Sequence, residues 1–186
     1  IRAVSCTFGS NADSAYNCIF IENKAGFQGG ATSNVDIRYS NFTNNSAQWG
    51  GAVSYGDVYY SNLTGNIAEY GGAIDDSDAN YCNFINNIAT YGGAINNGDA
   101  DYCNFTNNNA TNGGAIAHGD AYKCNFRNNI ATDSGGAIKE GSADYCNFTN
   151  NNATNGGAIY GPGSIPYLIN NFAKNCNFIN NTAVNG

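Results

Sequence analysis

Residues 82–95 read CNFINNIATYGGAI, and residues 103–116 read CNFTNNNATNGGAI, nearly the same string 21 positions later. The unit behind this is F-x-x-N. Its Phe stands at Phe20, Phe42, Phe84, Phe105, Phe126, Phe148 and Phe178, with Leu63 replacing it once. Its Asn stands at Asn23, Asn45, Asn66, Asn87, Asn108, Asn129, Asn151 and Asn181. Gly-Gly-Ala follows, starting at Gly29, Gly50, Gly71, Gly92, Gly113, Gly135 and Gly156. The step is 21 or 22 residues as far as Phe148 and 30 from there to Phe178. A period of this size marks an array in which each copy packs only on its neighbours.

The copy is too short for two helices and a turn, and it is rich in Gly and Asn, both poor helix formers. In Tyr81-Cys82-Asn83-Phe84 the small or apolar Cys and Phe alternate with Tyr and Asn, the period of two expected of a strand. Each copy therefore reads as short strands joined by Gly and Asn turns. No copy can bury its own apolar face, whereas coils stacked on one another bury a continuous core and pair every strand. The expected fold is all-β, a parallel β-helix with coils of about 21 residues. Residues 1–186 are read as one array, with 1–17 as an irregular first coil and 160–175, around Gly161-Pro162-Gly163, as an inserted loop. Eight or so coils at about 4.8 Å spacing would make a rod on the order of 40 Å long.

In such a fold each position of the repeat becomes a column along the rod. The Phe column is expected inward as an aromatic stack, with Cys18, Ser40, Ser61, Cys82, Cys103, Cys124, Cys146 and Cys176 beside it. Ala47, Ala68, Ala89, Ala110, Ala131 and Ala153 form a small inward column, and Val53, Ile74, Ile95, Ile116, Ile138 and Ile159 an aliphatic one. The Gly pairs are expected to supply a corner with positive φ or a close backbone approach. The Asn of F-x-x-N is expected to turn the chain in left-handed φ and to hydrogen-bond along the rod.

The chain has seven Cys but no C-x-x-C, and a single His (His118), too few for common zinc sets. Stacked Cys side chains run parallel about 4.8 Å apart, too far for a relaxed disulfide. The column is therefore read as free buried thiols, with Cys6 and Cys18 open to pairing. The net charge of −7 and the seven scattered Lys and Arg argue against nucleic acid as a partner. Charged residues make up only 11%, but 13 Tyr and 10 Phe supply too much aromatic surface for a disordered chain. There is no run of about 20 apolar residues, so no helical membrane span is expected.

Two outward columns carry candidate binding chemistry. Tyr39, Tyr60, Tyr81, Tyr102, Lys123 and Tyr145 run beside Asn41, Asn62, Asn83, Asn104, Asn125, Asn147 and Asn177. Exposed Tyr flanked by amides suits a glycan or protein partner, although Tyr is also at home stacking along strands. Asp57, Asp78, Asp99 and Asp120 form the second column. Their mutual repulsion would be relieved by calcium between coils, or the residues act as turn Asp capping their own backbone. Eight N-x-[ST] sequons occur, and those at Asn41, Asn62, Asn104 and Asn147 lie in the outward Asn column, open to glycosylation in a secreted chain.

The combination of G-G-A-[ILV] with F-x-x-N at this step resembles the repeats of chlamydial polymorphic outer-membrane proteins. The string N-C-x-F-x-N-N-x-A-x-x-G-G-A-I is similar to adhesin-like surface proteins of methanogenic archaea. The resemblance runs from Cys18 to Gly186. It implies a right-handed parallel β-helix, secretion, display at the cell surface as part of a longer protein, and adhesion.

Polysaccharide-active β-helix enzymes need clustered carboxylates in a cleft walled by long loops. Here the nearest carboxylate group is Asp75, Asp76 and Asp78, the nearest basic pair is Lys123 and Arg127, close to His118, and the coils leave few loops. Single Thr columns fall short of an ice-binding array. The expectation is a non-enzymatic, extracellular adhesin that needs no cofactor and attaches to a cell-surface glycan or protein. A structural stalk, sheath or filament subunit that self-associates end to end is the alternative, because uncapped coils expose strand edges.

Overall fold

The computed structural model describes residues 7–8, 13–161 and 173–185. Most of the expected inserted loop, and residues 1–6 and 9–12 of the expected first coil, lie outside the described residues. Among the described residues all regular structure is strand or turn, arranged as a parallel β-solenoid of about seven turns with coils of about 21 residues.

One coil shows the plan. Ile74–Asp75, Ala79–Asn80 and Asn83–Ile85 are short strands, and Ile88 and Tyr91 make single parallel bridges. Ile74 lies between Val53 and Ile95, Ala79 between Val58 and Ala100, and Phe84 between Leu63 and Phe105. Repetition builds parallel sheets of seven, nine and eight strands, and the nine-stranded sheet ends in an antiparallel pairing of Thr7–Phe8 with Ser14–Tyr16. The fourth face consists of single bridges in the early coils and widens to a four-stranded sheet from Asn109–Asn112 onward.

Four residues with positive φ turn each coil. In this one they are Asp76 (51°), Tyr81 (55°), Asn86 (56°) and Gly92 (62°). Most L residues pay for this conformation, Asn and Asp least and Gly not at all. At the fourth corner the first Gly of each pair meets that need. The second Gly meets a different one: a Cβ on Gly72 would fall on the carbonyl oxygen of Gly93 in the next coil. The two roles expected of the Gly pair are thus divided between its members.

The core is the Phe column together with the aliphatic and Cys columns. The Phe rings stack in parallel with centroids 4.7–4.9 Å apart, interrupted at Leu63. Each contact of this kind contributes about 0.5–1.5 kcal/mol beyond burial. The column is fully buried from Phe20 to Phe148, whereas Phe178 is exposed. Cys82, Cys103, Cys124 and Cys146 are buried free thiols, Cys176 is a half-buried one, and Cys18 is disulfide-bonded; Cys6 lies outside the described residues. Burial pushes the Cys103 thiol well above its ordinary value.

Three expectations about columns need correction. The F-x-x-N Asn is not the left-handed residue: that is the residue before it, such as Asn44, Asn86, Asn107 or Asn128, with Gly65 and Glu22 in the same column. The Asn itself points inward. Asn87 is fully buried, and its Oδ1 accepts both the N–H and the Nδ2 of Asn66, at 2.9 and 3.1 Å. Its own N–H and Nδ2 donate to Asn108 Oδ1, and Nδ2 also reaches the Leu63 carbonyl. The expected ladder along the rod is therefore present, but inside it. Second, the expected inward Ala column is only half-buried at Ala47, Ala68 and Ala89 and becomes buried from Ala110 onward. The fully buried alanines are those of Gly-Gly-Ala, such as Ala52, Ala73 and Ala94. Third, Tyr81 lies outside the strand, which begins at Asn83; it is the corner before it.

Candidate binding surfaces

The Tyr column follows one corner of the rod. Tyr39, Tyr60, Tyr81, Tyr102 and Tyr145, and Lys123 among them, all have φ between 51° and 56°. A bulky residue is uncommon in this region. The five Tyr are 38–57% exposed. Tyr39, Tyr60, Tyr81 and Tyr102 form one continuous stack, with centroids 5.1, 4.9 and 4.7 Å apart and planes within 12°. Lys123 interrupts it. The Lys123 ammonium lies 5.2 Å from the Tyr102 ring centroid and 5.0 Å from that of Tyr122, and hydrogen bonds to Tyr122 and Tyr102 raise its pKa. Tyr122, on the neighbouring nine-stranded sheet, meets Tyr102 and Tyr145 edge to face. Sequence reading missed Tyr122, and also Tyr59, whose ring carries the Arg38 guanidinium at 4.1 Å.

The outward Asn column lies on the next face, two residues beyond each Tyr. Asn62 Nδ2 donates to Asn41 Oδ1 at 3.0 Å, Asn83 to Asn62 and Asn104 to Asn83 at 2.9 Å, and the pattern continues through Asn125 and Asn147. Each amide keeps one N–H and one lone pair for a ligand. The ladder also separates the four sequons. Nδ2 of Asn62, Asn104 and Asn147 is a ladder donor, while that of Asn41 donates to no described residue.

The Asp column is built differently from the expected turn. Asp57, Asp78 and Asp99 do not cap their own backbone; the Oδ1 of each accepts the backbone N–H of the next Asp, at 3.1, 2.9 and 2.8 Å. Asp36 starts this column and Asp120 passes it to Ser142. Stacked carboxylates are thus interleaved with backbone donors. Among the described residues no group of three or more His, Cys, Asp or Glu is arranged to hold a metal ion. The residues nearest to a catalytic set are held apart: His118 and Lys123 sit on different corners, and Arg127 lies on the outer side of the Phe sheet. His118 pairs instead with Glu140 (3.4 Å).

A further site takes in Asp75 and Asp76, two of the three carboxylates grouped in the sequence, together with aromatic residues that the sequence reading did not single out. Beside the Gly corner runs a second aromatic column, in which Trp49 meets Phe27 edge to face at 4.3 Å and Tyr70 at 6.3 Å, and Tyr70 stacks on Tyr91 at 5.3 Å. Across from it stands another corner, Tyr55, Asp76 and Asn97. Between them lies a cavity of about 340 Å³, whose lining includes Asp75 and Asn96. Asp75 is only 3% exposed, and burial pushes its carboxyl up to about 6, opposed by the hydrogen bond from Asn96 Nδ2 (2.8 Å) and helped by the nearby Asp76. Tyr55 hydrogen-bonds Asp76, which raises the pKa of the phenol. A signal for this site was present: Trp49, Tyr70 and Tyr91 each stand immediately before a Gly pair.

The chain matches the model of the Chlamydia polymorphic membrane protein repeat over residues 123–139 and 145–162. Each match starts at the Tyr-column corner, at Lys123 or Tyr145, and runs through the Gly pair to the aliphatic strand. No curated protein and no solved structure matches the chain.

Proposed function

We propose that this chain is a non-enzymatic, extracellular β-solenoid of adhesin type that attaches to a cell-surface glycan or protein through its Tyr and Asn columns. The carrying observation is the five exposed Tyr at left-handed corners. The next corner along the coil is filled by Asn apart from Glu22 and Gly65, and Asn and Gly are the residues that backbone energetics favours there. Tyr supplies what Asn and Gly do not: a broad apolar face with a hydroxyl at its tip, next to amides with spare hydrogen-bonding capacity. Strained residues held in series point to function, since strain persists where the surroundings over-determine it. The similarity to a repeat of a membrane protein supports a surface location.

The test is retention of the purified protein on a panel of cell-wall glycans and intact cells, alongside the double variant Tyr81→Asn and Tyr102→Asn. Binding by the parent protein and loss in the variant is the expected result. Retention of both proteins alike removes the Tyr column from the reading. If nothing is retained, the second reading takes its place: a stalk or filament element, favoured by coils whose inner ladders are saturated. Electron microscopy for end-to-end stacking then tests that reading.

A further inference from the structure

The cavity beside Trp49 is chemically unlike the Tyr column and lies on another side of the coil. Its lining divides into three parts. Trp49 and Tyr70 offer aromatic surface, and Phe27 meets Trp49 edge to face. Gln28, Asn96 and Asn97 supply amides. Asp75 and Asp76 supply two carboxylates, and the lining contains no Lys or Arg. Asp75 is the unusual member. It is nine-tenths buried or more, it receives a hydrogen bond from Asn96 on one oxygen, and it has no cationic partner: among the described residues the contacts of basic with acidic side chains are His118–Glu140 and Lys139–Glu140. A buried carboxylate without a counter-charge is costly unless something supplies one. The column beneath it repeats the theme, since Ser54, its strand neighbour, has a fully buried hydroxyl with no partner.

The rod itself shows what sits well on this aromatic column. The Lys139 ammonium lies 5.7 Å from the Tyr91 ring centroid, one coil from Tyr70. The Lys123 ammonium does the same at the Tyr102 and Tyr122 rings. Ammonium against a tyrosine face is thus a contact this fold already makes.

We infer that the cavity between Trp49 and Asp75 is a subsite for an amino sugar with a free ammonium group. The ring's C–H face lies on Trp49 and Tyr70, the hydroxyls meet the amides, and the ammonium sits between Asp75 and Asp76. The cavity volume of about 340 Å³ is at the small end of ligand pockets and suits one sugar unit. Acidic sugars are repelled by the two carboxylates. The site is independent of the Tyr column, so either can fail without the other.

Trp49 is the chain's only Trp, so its fluorescence reports on this cavity alone. Titrating the protein with a tetramer of glucosamine is expected to give a saturable change in that fluorescence. The N-acetylated tetramer and a glucose tetramer should bind at least tenfold more weakly, as should ethanolamine, which has the ammonium without the ring. Asp75→Asn and Asp76→Asn, each checked for an unchanged far-ultraviolet circular dichroism spectrum, should weaken glucosamine binding at least tenfold. Equal binding of acetylated and free tetramers, binding of ethanolamine as tight as that of the tetramer, no fluorescence change, or full binding by folded Asp75→Asn would each overturn the assignment.

Discussion

Asn108 places two donors on one oxygen of Asn129: Asn129 Oδ1 takes both the backbone N–H and the Nδ2 of Asn108, each at 3.0 Å. Asn108 Oδ1 does the same for Asn87, and Asn108 Nδ2 also reaches the Phe84 carbonyl at 3.1 Å. Asn108→Ala leaves the Asn87 N–H and one of its two Nδ2 hydrogens buried and unmet, the other staying on the Leu63 carbonyl, each unmet donor costing about 1–3 kcal/mol. The expected loss is on the order of 3–5 kcal/mol, read as a lower urea midpoint with an unchanged slope.

Two Gly positions should respond in opposite ways. Gly72→Ala places a methyl on the Gly93 carbonyl oxygen and against the Ile88 backbone, and should destabilise by about 3 kcal/mol or more. Gly65 stands in a corner column filled by Asn at every other described position except Glu22, and an added Cβ would meet only the movable end of the Asn44 side chain. Gly65→Asn should therefore be neutral or stabilising by up to about 1 kcal/mol, through the stiffer unfolded chain. Thermal melting of the two variants checks both.

Tyr81→Asn gives up two ring stacks, with Tyr60 and Tyr102, worth about 0.5–1.5 kcal/mol each. It gains a residue that tolerates left-handed φ, an offset of roughly 1 kcal/mol. The net change in stability should lie within about 1 kcal/mol. A much larger loss in denaturant titration would mean the Tyr column serves the fold first.

Asp75 makes stability depend on pH in an uncommon direction. Its folded carboxyl takes up a proton near 6, against 3.8 for the free group. The folded state therefore holds more protons between these values, so this residue's contribution falls as pH rises through the window. Two units amount to at most about 3 kcal/mol; because the group borders an open groove, solvent screening reduces this to on the order of 1–2 kcal/mol. Parent protein and Asp75→Asn, melted between pH 4 and 7, should differ in slope, with the variant flatter.

The thiols should divide by burial. Cys176 is half-buried, and Cys82, Cys103, Cys124 and Cys146 are buried. An alkylating reagent followed by mass spectrometry should label Cys176 in the native protein and the other four only on unfolding. Cys103→Ser should cost within about 1 kcal/mol, because Ser40 and Ser61 already occupy this column and their hydroxyls accept the same backbone N–H at 3.0 Å.

The Phe, Cys, aliphatic and Gly columns could be read from the sequence because one residue type recurs at one step and has one physical reason to do so. The corners could not. A single left-handed residue turns the chain while Cys82 and Phe84 stay inward and Asn83 stays outward, so alternation continues past Tyr81 as though a strand did. The Asn column misled for a related reason: Asn86 and Asn87 are adjacent and chemically identical, and only the backbone tells the corner from the ladder. The cavity was harder still. Trp49 and Tyr70 belong to one column and Asp75 to another, each of mixed composition, and the two columns meet because the coil closes between them.

Each buried Asn amide answers only to the copy before and the copy after, and every copy presents the same oxygen and the same donors. A whole coil can therefore be excised or duplicated by recombination between copies, and the seam closes on bonds identical to those it replaced. Length in such a protein is a heritable dial, adjustable in increments of one strand spacing, about 4.8 Å, without renegotiating the fold. Loss of residues 82–102 would bring Asn66 directly onto Asn108, where the same three hydrogen bonds await.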